Sequence, residues 1–525
     1  MPFPIIDLFA GPGGLAEGFS SLTERDNERV FKIKLSIEKD EHAHETLTLR
    51  SFVRQFPFRE LPDEYYQFLR REISIEDLYS HYPDEHREAA NEAWKATLGE
   101  TPEPEIDERI EGNLAGEKNW VLIGGPPCQA YSLAGRSRVG GIHEGDHRVH
   151  LYKEYLRIIA RHQPAVFVME NVKGLLSAEL NGEKIFSKIL QDLSDPATIF
   201  PGYGTASYSI YSLVKQNVKT DADYLIKSEE YGVPQKRHRV ILLGVRNDIG
   251  IRPGILMPSR KNDLKSVIGR LPAVRSGIYR EFSHSDFVPT ETGLKKRRSY
   301  LNLEDSFGEW SLRVKRYGVD LLTSFSRLKY DISFDQVLPE TTGSEYLEAA
   351  DTLEPGHPLF DWFVDNHLNA AIHHTSRGHL TQDLKRYLFA SLYTAHFKKF
   401  PRMEDYRKFG EDLLPDHENA ESGKFNDRFR VQLANEPATT VTSHISKDGH
   451  YFIHYDPSQC RSLTVREAAR IQTFPDNYYF CGSRTKQFHQ VGNAVPPYLA
   501  WQIAGVVHEI LIPEIARQIR EPMLF

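Results

Sequence analysis

Asp7-Leu8-Phe9-Ala10-Gly11-Pro12-Gly13-Gly14 is the stretch on which the reading of the fold turns. Phe3 to Phe9 is an apolar run broken only by Asp7, which has the character of a short strand. Gly11-Pro12-Gly13-Gly14 then makes a turn, and Leu15 to Leu22 supports a helix. A strand feeding a glycine turn at a helix start lets a ligand approach the backbone closely. Phe31-Lys32-Ile33-Lys34-Leu35-Ser36-Ile37 alternates like a second strand, and Glu38 stands at its end, where a carboxylate can hold both hydroxyls of a ribose. The glycine spacing is not GxGxxG and no phosphate-cradling lysine follows. The expected ligand is therefore a nucleoside without phosphates.

Further along, Val121-Leu122-Ile123 is a buried-type strand running into Gly124-Gly125-Pro126-Pro127-Cys128, and Ala165 to Met169 is another, ending at Glu170-Asn171. Helical spacing at Leu151, Tyr155, Leu156, Ile158 and Ile159 lies between them, residues 183–193 read as helix, and 207–218 and 238–245 read as strands. This βαβα alternation predicts an α/β, doubly wound (Rossmann-like) sheet with ligands at the strand carboxyl ends.

Three domains' worth of sequence are expected. Residues 1–250 form a catalytic and cofactor-binding unit, interrupted at about 41–118 by an acidic, helix-prone insertion. Residues 251–430 lose the pattern and read as a second, inserted domain. Residues 431–525 return to the first unit, with a last helix at 495–510.

Net charge is −8, which argues against a polyanion partner until its distribution is considered. Residues 56–117 hold 6 Lys/Arg and 17 Asp/Glu, a local −11, which leaves +3 for the remainder. Residues 251–300 hold 11 Lys/Arg and 4 Asp/Glu, including Lys295-Lys296-Arg297-Arg298. A nucleic acid can therefore bind away from the acidic part. No run approaches 18 apolar residues, so no membrane span is expected. The start lacks a secretory n-region. The three cysteines, Cys128, Cys460 and Cys481, form no CxxC pair, so no zinc site is expected and a cytoplasmic location fits.

Two prolines stiffen the chain before Cys128, which suits a nucleophile held in place before reaction. Cys460 and Cys481 have no such context and read as inert core residues. The glycines after Cys128 predict a mobile loop over 133–147. The adjacent strand end brings Glu170 near Cys128, where a carboxylic acid in a dry site can share a proton. In Gln235-Lys236-Arg237-His238-Arg239, strand alternation places Arg237 and Arg239 on one face, a pair of fixed guanidinium groups suited to a carbonyl oxygen or an anion.

With these motifs in this order, the chain resembles the DNA (cytosine-5) methyltransferase family. Asp7–Gly14 resembles its cofactor loop, Pro126-Pro127-Cys128-Gln129 its nucleophile motif, Glu170-Asn171-Val172 its acid motif, and Gln235–Arg239 its paired arginines. Arg466-Glu467-Ala468-Ala469-Arg470-Ile471-Gln472 with Phe474-Pro475, and Gln490-Val491-Gly492-Asn493-Ala494-Val495-Pro496-Pro497, resemble its two later segments.

The resemblance implies S-adenosylmethionine as cofactor. Phe9 would stack on the adenine and Glu38 would hold the ribose. Asp7, Gly11, Gly13, Gly14, Pro127, Leu151, Asn493 and Val495 would complete the pocket. Cys128 would be the nucleophile at carbon 6 of cytosine, Glu170 the partner of N3, and Arg239 the holder of O2, with Arg237 supporting. The base would be flipped out of the duplex, since it cannot react while stacked. Ser132, Arg136 and Arg138 would contact the DNA from the loop. Residues 251–430 would be the target recognition domain, and Lys295–Arg298, contiguous and so unable to face one groove together, would touch phosphate.

The resemblance also places an acidic contact to the adenine amino group before the nucleophile strand, with Asp107, Glu108 and Glu111 as alternatives. Lys39 stands where the family has an aromatic. The expected partner is double-stranded DNA, bound by a monomer, with a restriction endonuclease or defence protein as a possible companion. Other readings remain at this point: a catalytically silent DNA sensor, a tRNA methyltransferase, or a nucleotide-dependent oxidoreductase supported by the alternation alone.

Overall fold

A computed structural model describes residues 2–24, 27–127, 147–180, 183–290, 293–415 and 428–512. Its centre is an eight-stranded sheet. The strands are β1 (Phe3–Leu8), β2 (Phe31–Glu38), β3 (Ala93–Lys95), β4 (Val121–Gly124), β5 (Val166–Val172), β6 (Tyr208–Ser212), β7 (Leu225–Lys227) and β8 (His238–Arg246). Their order is β3-β2-β1-β4-β5-β8-β6, with β7 also on β8. The first five are parallel, and β8 runs antiparallel to β5 and β6. The order reverses between β1 and β4, so the ligand crevice belongs beyond their carboxyl ends. The doubly wound reading holds, with an antiparallel hairpin closing one side of the sheet.

Strand alternation explains the two covered faces. Ile6, Leu8, Leu35 and Ile37 pack with helices α6 (Glu103–Leu114), α7 (His147–His162) and α8 (Ile185–Ser194). Ile5, Ile33, Ile123 and Val168 face the other way, against α1 (Gly14–Ser20) and α13 (Pro497–Leu511). The C-terminal segment therefore completes one face of the sheet formed by the N-terminal segment.

The acidic stretch is helical, as expected, but it is not all insertion. Its strand β3 is the sheet's edge, paired with Ser36–Glu38, and its helix α6 buries Ile106, Ile110 and Leu114. The part that lies outside the sheet is the group α3 (Asp63–Leu69), α4 (Ile75–His81) and α5 (Pro83–Glu92). It packs on α2 (Glu41–Val53) and on Leu368, Ala370 and Ile372 of the 251–430 segment. Tyr66 donates its hydroxyl to Asp365 at 2.9 Å and Tyr65 to the Asn477 carbonyl at 2.8 Å.

The expected boundary at 430 does not separate two cores. Leu264, Val267 and Ile268 pack with Leu463, with Ile471 of α11 (Val465–Ile471) and with Phe488. Phe429 and Val431 pack with Cys460, with Trp310 of α9 (Phe307–Arg327) and with Tyr387 of α10 (Thr381–Phe397). Residues 277–302, read as unpatterned, form a two-stranded ribbon of β9 (Gly277–Thr290) and β10 (Gly293–Asn302), anchored at its root by β11 (Gly378–Leu380). Exposed Tyr279, Phe287, Leu294 and Leu301 interrupt the alternation that would have revealed it. Among the described residues no helix is long and apolar enough to cross a membrane.

Candidate active site

The chain leaves β1 at Leu8 but stays beside β2 for two more residues, with the Ala10 N–H donating to the Ile37 carbonyl at 3.1 Å. It then folds through the left-handed region at Phe9 (φ 57°), Gly11 (φ 58°) and Gly13 (φ 89°). Glycine bears this without cost, whereas Phe9 is held there by its surroundings, a strain of roughly 1–3 kcal/mol of the kind stored at functional sites.

Glu38 organises the turn. One carboxylate oxygen accepts the Gly11 N–H at 2.8 Å, and the other accepts Lys39 N–H at 2.8 Å and Asp40 N–H at 2.7 Å. The first oxygen keeps a lone pair for a ligand hydroxyl.

The turn is also pressed from behind. A Cβ on Gly14 would lie 2.4 Å from the Val495 carbonyl oxygen, and one on Gly18 would lie 2.4 Å from the Pro497 oxygen. Only glycine allows α1 to lie this close to the start of α13. Tyr478 donates its hydroxyl to the Pro12 carbonyl and stacks under Arg50, which pairs with Glu17 of α1.

Asp7 lies lower, within the sheet. It is fully buried opposite Ser36, neither oxygen has a hydrogen-bond partner among the described residues, and burial pushes its carboxyl well above the usual range. Leu151 is buried against the loop containing Gly99, Val495 is buried, and Asn493 is exposed at the end of α12 (Arg484–Asn493). None of the three acids considered for the adenine amino group is at the crevice. They sit on α6, where Asp107 accepts from Arg157 at 2.9 Å and His162 at 2.8 Å. The end of β3 is Lys95-Ala96-Thr97, beside Glu38, and carries no carboxylate.

At the neighbouring strand end, β4 runs into Gly125-Pro126-Pro127, with Pro127 half-buried. Cys128, like Ser132, Arg136, Arg138 and the 133–147 loop up to residue 146, lies outside the described residues. Glu170 of β5 is held between two neighbours. A Cβ on Gly125 would stand 3.0 Å from its Oε2, and Arg239 Nε is 2.7 Å from its Oε1. That contact is a charge pair whose N–H is not aligned for a linear bond: among the described residues Nε has no hydrogen-bond acceptor, while Nη1 donates to the His238 carbonyl at 2.9 Å.

Arg237 does not share this face. The strand breaks there, because Gln235–Lys236 pairs separately with Ala438–Thr439. The Arg237 guanidinium is buried and donates to the Val441 carbonyl at 2.8 Å and the Gly492 carbonyl at 3.3 Å. Burial and the Arg239 charge hold its pKa well below the ordinary value.

Lys295–Arg298 lie on β10, with Arg297 paired across the ribbon to Asp286 and Arg298 to Ser285. Cys460 and Cys481 are free and buried, and burial pushes the Cys481 thiol up to about 12. Three features escaped the sequence reading. Gly125 and Gly18 gave no signal beyond being glycine, and Tyr478 gave none, because its partner is 466 residues away.

A doubly wound sheet with a glycine turn and ribose-ready carboxylate at one strand end, and a Glu–Arg pair at another, defines a nucleoside-cofactor group-transfer enzyme. The model of the C-5 cytosine-specific DNA methylase family matches residues 80–302 and 348–509, more than half of the chain, and the chain belongs to that family. It is a DNA (cytosine-5-)-methyltransferase that uses S-adenosylmethionine.

It is similar to a type II methyltransferase, M.Bpa9945I of Bacillus paralicheniformis, 29% identical over 97% of this chain and 99% of that one. M.AgeI of Thalassovita gelatinovora, also a type II methyltransferase, is 26% identical over 96% and 98%. The DNA (cytosine-5-)-methyltransferase M.ApeKI of Aeropyrum pernix is 26% identical over 76% and 83%. A solved E. coli prophage-encoded structure has a TM-score of 0.49 and 20% identity over 97% of this chain and 99% of that one.

Proposed function

We propose that the chain methylates carbon 5 of a cytosine flipped out of a defined duplex DNA site, with Cys128 as nucleophile, Glu170 at N3 and Arg239 at O2. The observation that carries this reading is the Glu170–Arg239 pair, set by Gly125 beside the chain that leads directly into Cys128. Carbon 5 of cytosine is a weak nucleophile. Addition of the Cys128 thiolate at carbon 6 moves electron density onto carbon 5, while Glu170 protonates or hydrogen-bonds N3 and Arg239 stabilises the charge developing at O2. S-adenosylmethionine supplies the methyl group. Loss of the carbon 5 proton to water or a base then expels the thiolate and restores the ring.

Glu38 and the backbone of Gly11 to Gly14 hold the ribose side of the cofactor, with Phe9, Leu151, Asn493 and Val495 around it, and Asp7 shapes the turn from below. Pro127 fixes the approach to Cys128. Arg237 acts as a tie to the Val441 and Gly492 carbonyls and so keeps Arg239 in place. Ser132, Arg136 and Arg138 contact the DNA strand around the flipped base. Lys295, Lys296, Arg297 and Arg298 are proposed as phosphate contacts.

Residues within 251–430 carry target recognition. The ribbon β9–β10 is of a kind that fits a major groove. The protein acts as a monomer in the cytoplasm, within a restriction-modification or defence setting. Bisulfite sequencing of DNA from cells expressing the chain tests this reading. Protection of cytosine at one recurring short site is expected, and its absence overturns the reading.

A further inference from the structure

A cleft of about 620 Å³ opens where the root of the β9–β10 ribbon meets the C-terminal segment. Three cations, Arg377, Lys447 and Arg484, line it. Arg377 is fixed: it is 8% exposed, its guanidinium lies 4.3 Å over the Phe488 ring, and it donates to the Ile445 carbonyl. Its Nε is buried without a hydrogen-bond partner among the described residues. Arg484 is held by a 2.6 Å bond to the Ser376 carbonyl, and Lys447 is exposed.

Among the described residues none of the three has an ion-pair partner. The one acidic residue on the wall, Asp305, is already bound to Arg275 at 2.7 Å. Burial lowers the pKa of both arginines, and for Arg377, which also feels the Arg484 charge, it is pushed down to about 10. Two guanidinium groups and an ammonium line one concavity, and the carboxylates that act on them, Asp448 on Arg377 and Glu345 on Arg484, do so without an ion pair; the cleft is a site for an anion.

The cleft is tied to the reacting centre by chain connectivity. The Val441 carbonyl accepts from Arg237, two residues from Arg239, and six residues later the same strand of chain reaches Lys447. Six residues span at most about 20 Å. At ~3.4 Å of axis per nucleotide, that distance covers only a few steps of a DNA strand.

We propose that this cleft clamps a backbone phosphodiester of the target DNA within a few nucleotides of the flipped cytosine, through Arg377, Lys447 and Arg484. The inference rests on the methyltransferase reading above. A phosphate fixed here sets the register of the ribbon, which springs from the same cleft at Gly277, Ile278 and Tyr279. Phosphate contacts of this kind position a protein on DNA and leave base reading to other groups.

The test is the double variant Lys447→Ala/Arg484→Ala in the full chain, with Lys447→Ala alone as a second, milder variant. Binding to target and non-target duplexes is measured across a salt series, with S-adenosylmethionine affinity and melting temperature as folding controls. Expected is a salt slope shallower by about 0.9 for each contact removed, with the same loss on both duplexes and an unchanged target preference. A methylphosphonate scan is expected to find one neutral linkage near the target that weakens wild type and leaves the double variant unaffected.

An unchanged slope in both variants, with wild type still methylating its site, overturns the clamp and leaves the enzyme reading intact. No methylation by wild type overturns the enzyme reading itself. Displacement by millimolar inorganic phosphate with an unchanged DNA slope assigns the cleft to a free anion and also overturns the clamp.

Discussion

Replacing Glu38 with glutamine separates the two tasks given to this side chain. Oε1 accepts from Lys39 and Asp40 at 2.8 and 2.7 Å, and Oε2 accepts from Gly11 at 2.8 Å. A glutamine keeps one oxygen, best placed on the side with two donors. Its amide NH2 then faces the Gly11 N–H, so one charge-assisted bond is lost and two donors oppose each other. The lost bond is worth about 1.5–3 kcal/mol, and the remaining two weaken as the charge disappears. Those bonds lie within the protein, so their loss lowers its stability; the ribose also loses its charge-assisted acceptor, worth about 1.5–3 kcal/mol or ~10- to 100-fold in Kd. Calorimetric titration of S-adenosylmethionine into Glu38→Gln is expected to show a Kd raised by that order, and the cofactor-free protein is expected to melt lower because the turn is less ordered. A Kd within twofold of wild type, with unchanged melting, would refute both the ribose assignment and the role of Glu38 in holding the glycine turn.

Four further outcomes follow. Cys128→Ser should abolish turnover while leaving cofactor affinity nearly intact, since a hydroxyl cannot supply the anion at neutral pH; methylation above a few per cent of wild type would remove Cys128 from the nucleophile role. Gly125→Ala should displace the Glu170 carboxylate, which would sit 3.0 Å from the new Cβ, and lower kcat roughly 10-fold with cofactor Kd unchanged; equal kcat would show that Glu170 tolerates the shift. Excision of residues 58–115 should yield no folded protein, because it removes β3 and the buried face of α6; a cooperative melt from that deletion would contradict the sheet assignment.

Stability should fall on acidification. Burial pushes the His374 pKa down to about 4 and lowers those of His379 and His454, so these imidazoles bind protons on unfolding. Their folded values lie below the unfolded ~6.5, so their contribution is complete above that pH and is lost as pH drops toward 4, on the order of 3 kcal/mol for His374. Urea denaturation at pH 7.5 and pH 5 checks this, and equal midpoints would contradict it.

The parts of the fold legible in the sequence were those whose signal is local. The alternation of Phe31–Ile37 and the apolar runs at Val121 and Ala165 each mark a strand regardless of what lies elsewhere. The glycine turn and Glu38 were legible for the same reason, since strand, turn and carboxylate lie within one βαβ unit.

What the sequence hid depends on distant partners. β3 is three residues long, Ala93-Trp94-Lys95, and only its pairing with Ser36–Glu38 makes it a strand. Arg237 sits two residues from Arg239, which predicts a shared face. The pairing of Gln235–Lys236 with Ala438–Thr439 breaks the strand between them and turns Arg237 toward Val441. The ribbon's long exposed surface, with Phe287 and Leu294 facing water, carries no inside-outside pattern to read. The Arg377–Lys447–Arg484 cleft is assembled from positions 107 residues apart in the chain and had no local mark.

Methyl transfer here depends on a covalent bond between Cys128 and cytosine, and trapping that bond is the most direct test. The full-length protein is incubated with S-adenosylmethionine and duplex DNA in which cytosines of the methylated site are replaced by 5-fluorocytosine, whose fluorine cannot leave as a proton does. A denaturant-resistant protein–DNA complex is expected, dependent on the cofactor and absent in Cys128→Ser, with the modified peptide containing Gly125-Pro126-Pro127-Cys128-Gln129. A complex mapped to Cys460 or Cys481, or no complex from a preparation that methylates the unmodified duplex, would contradict it.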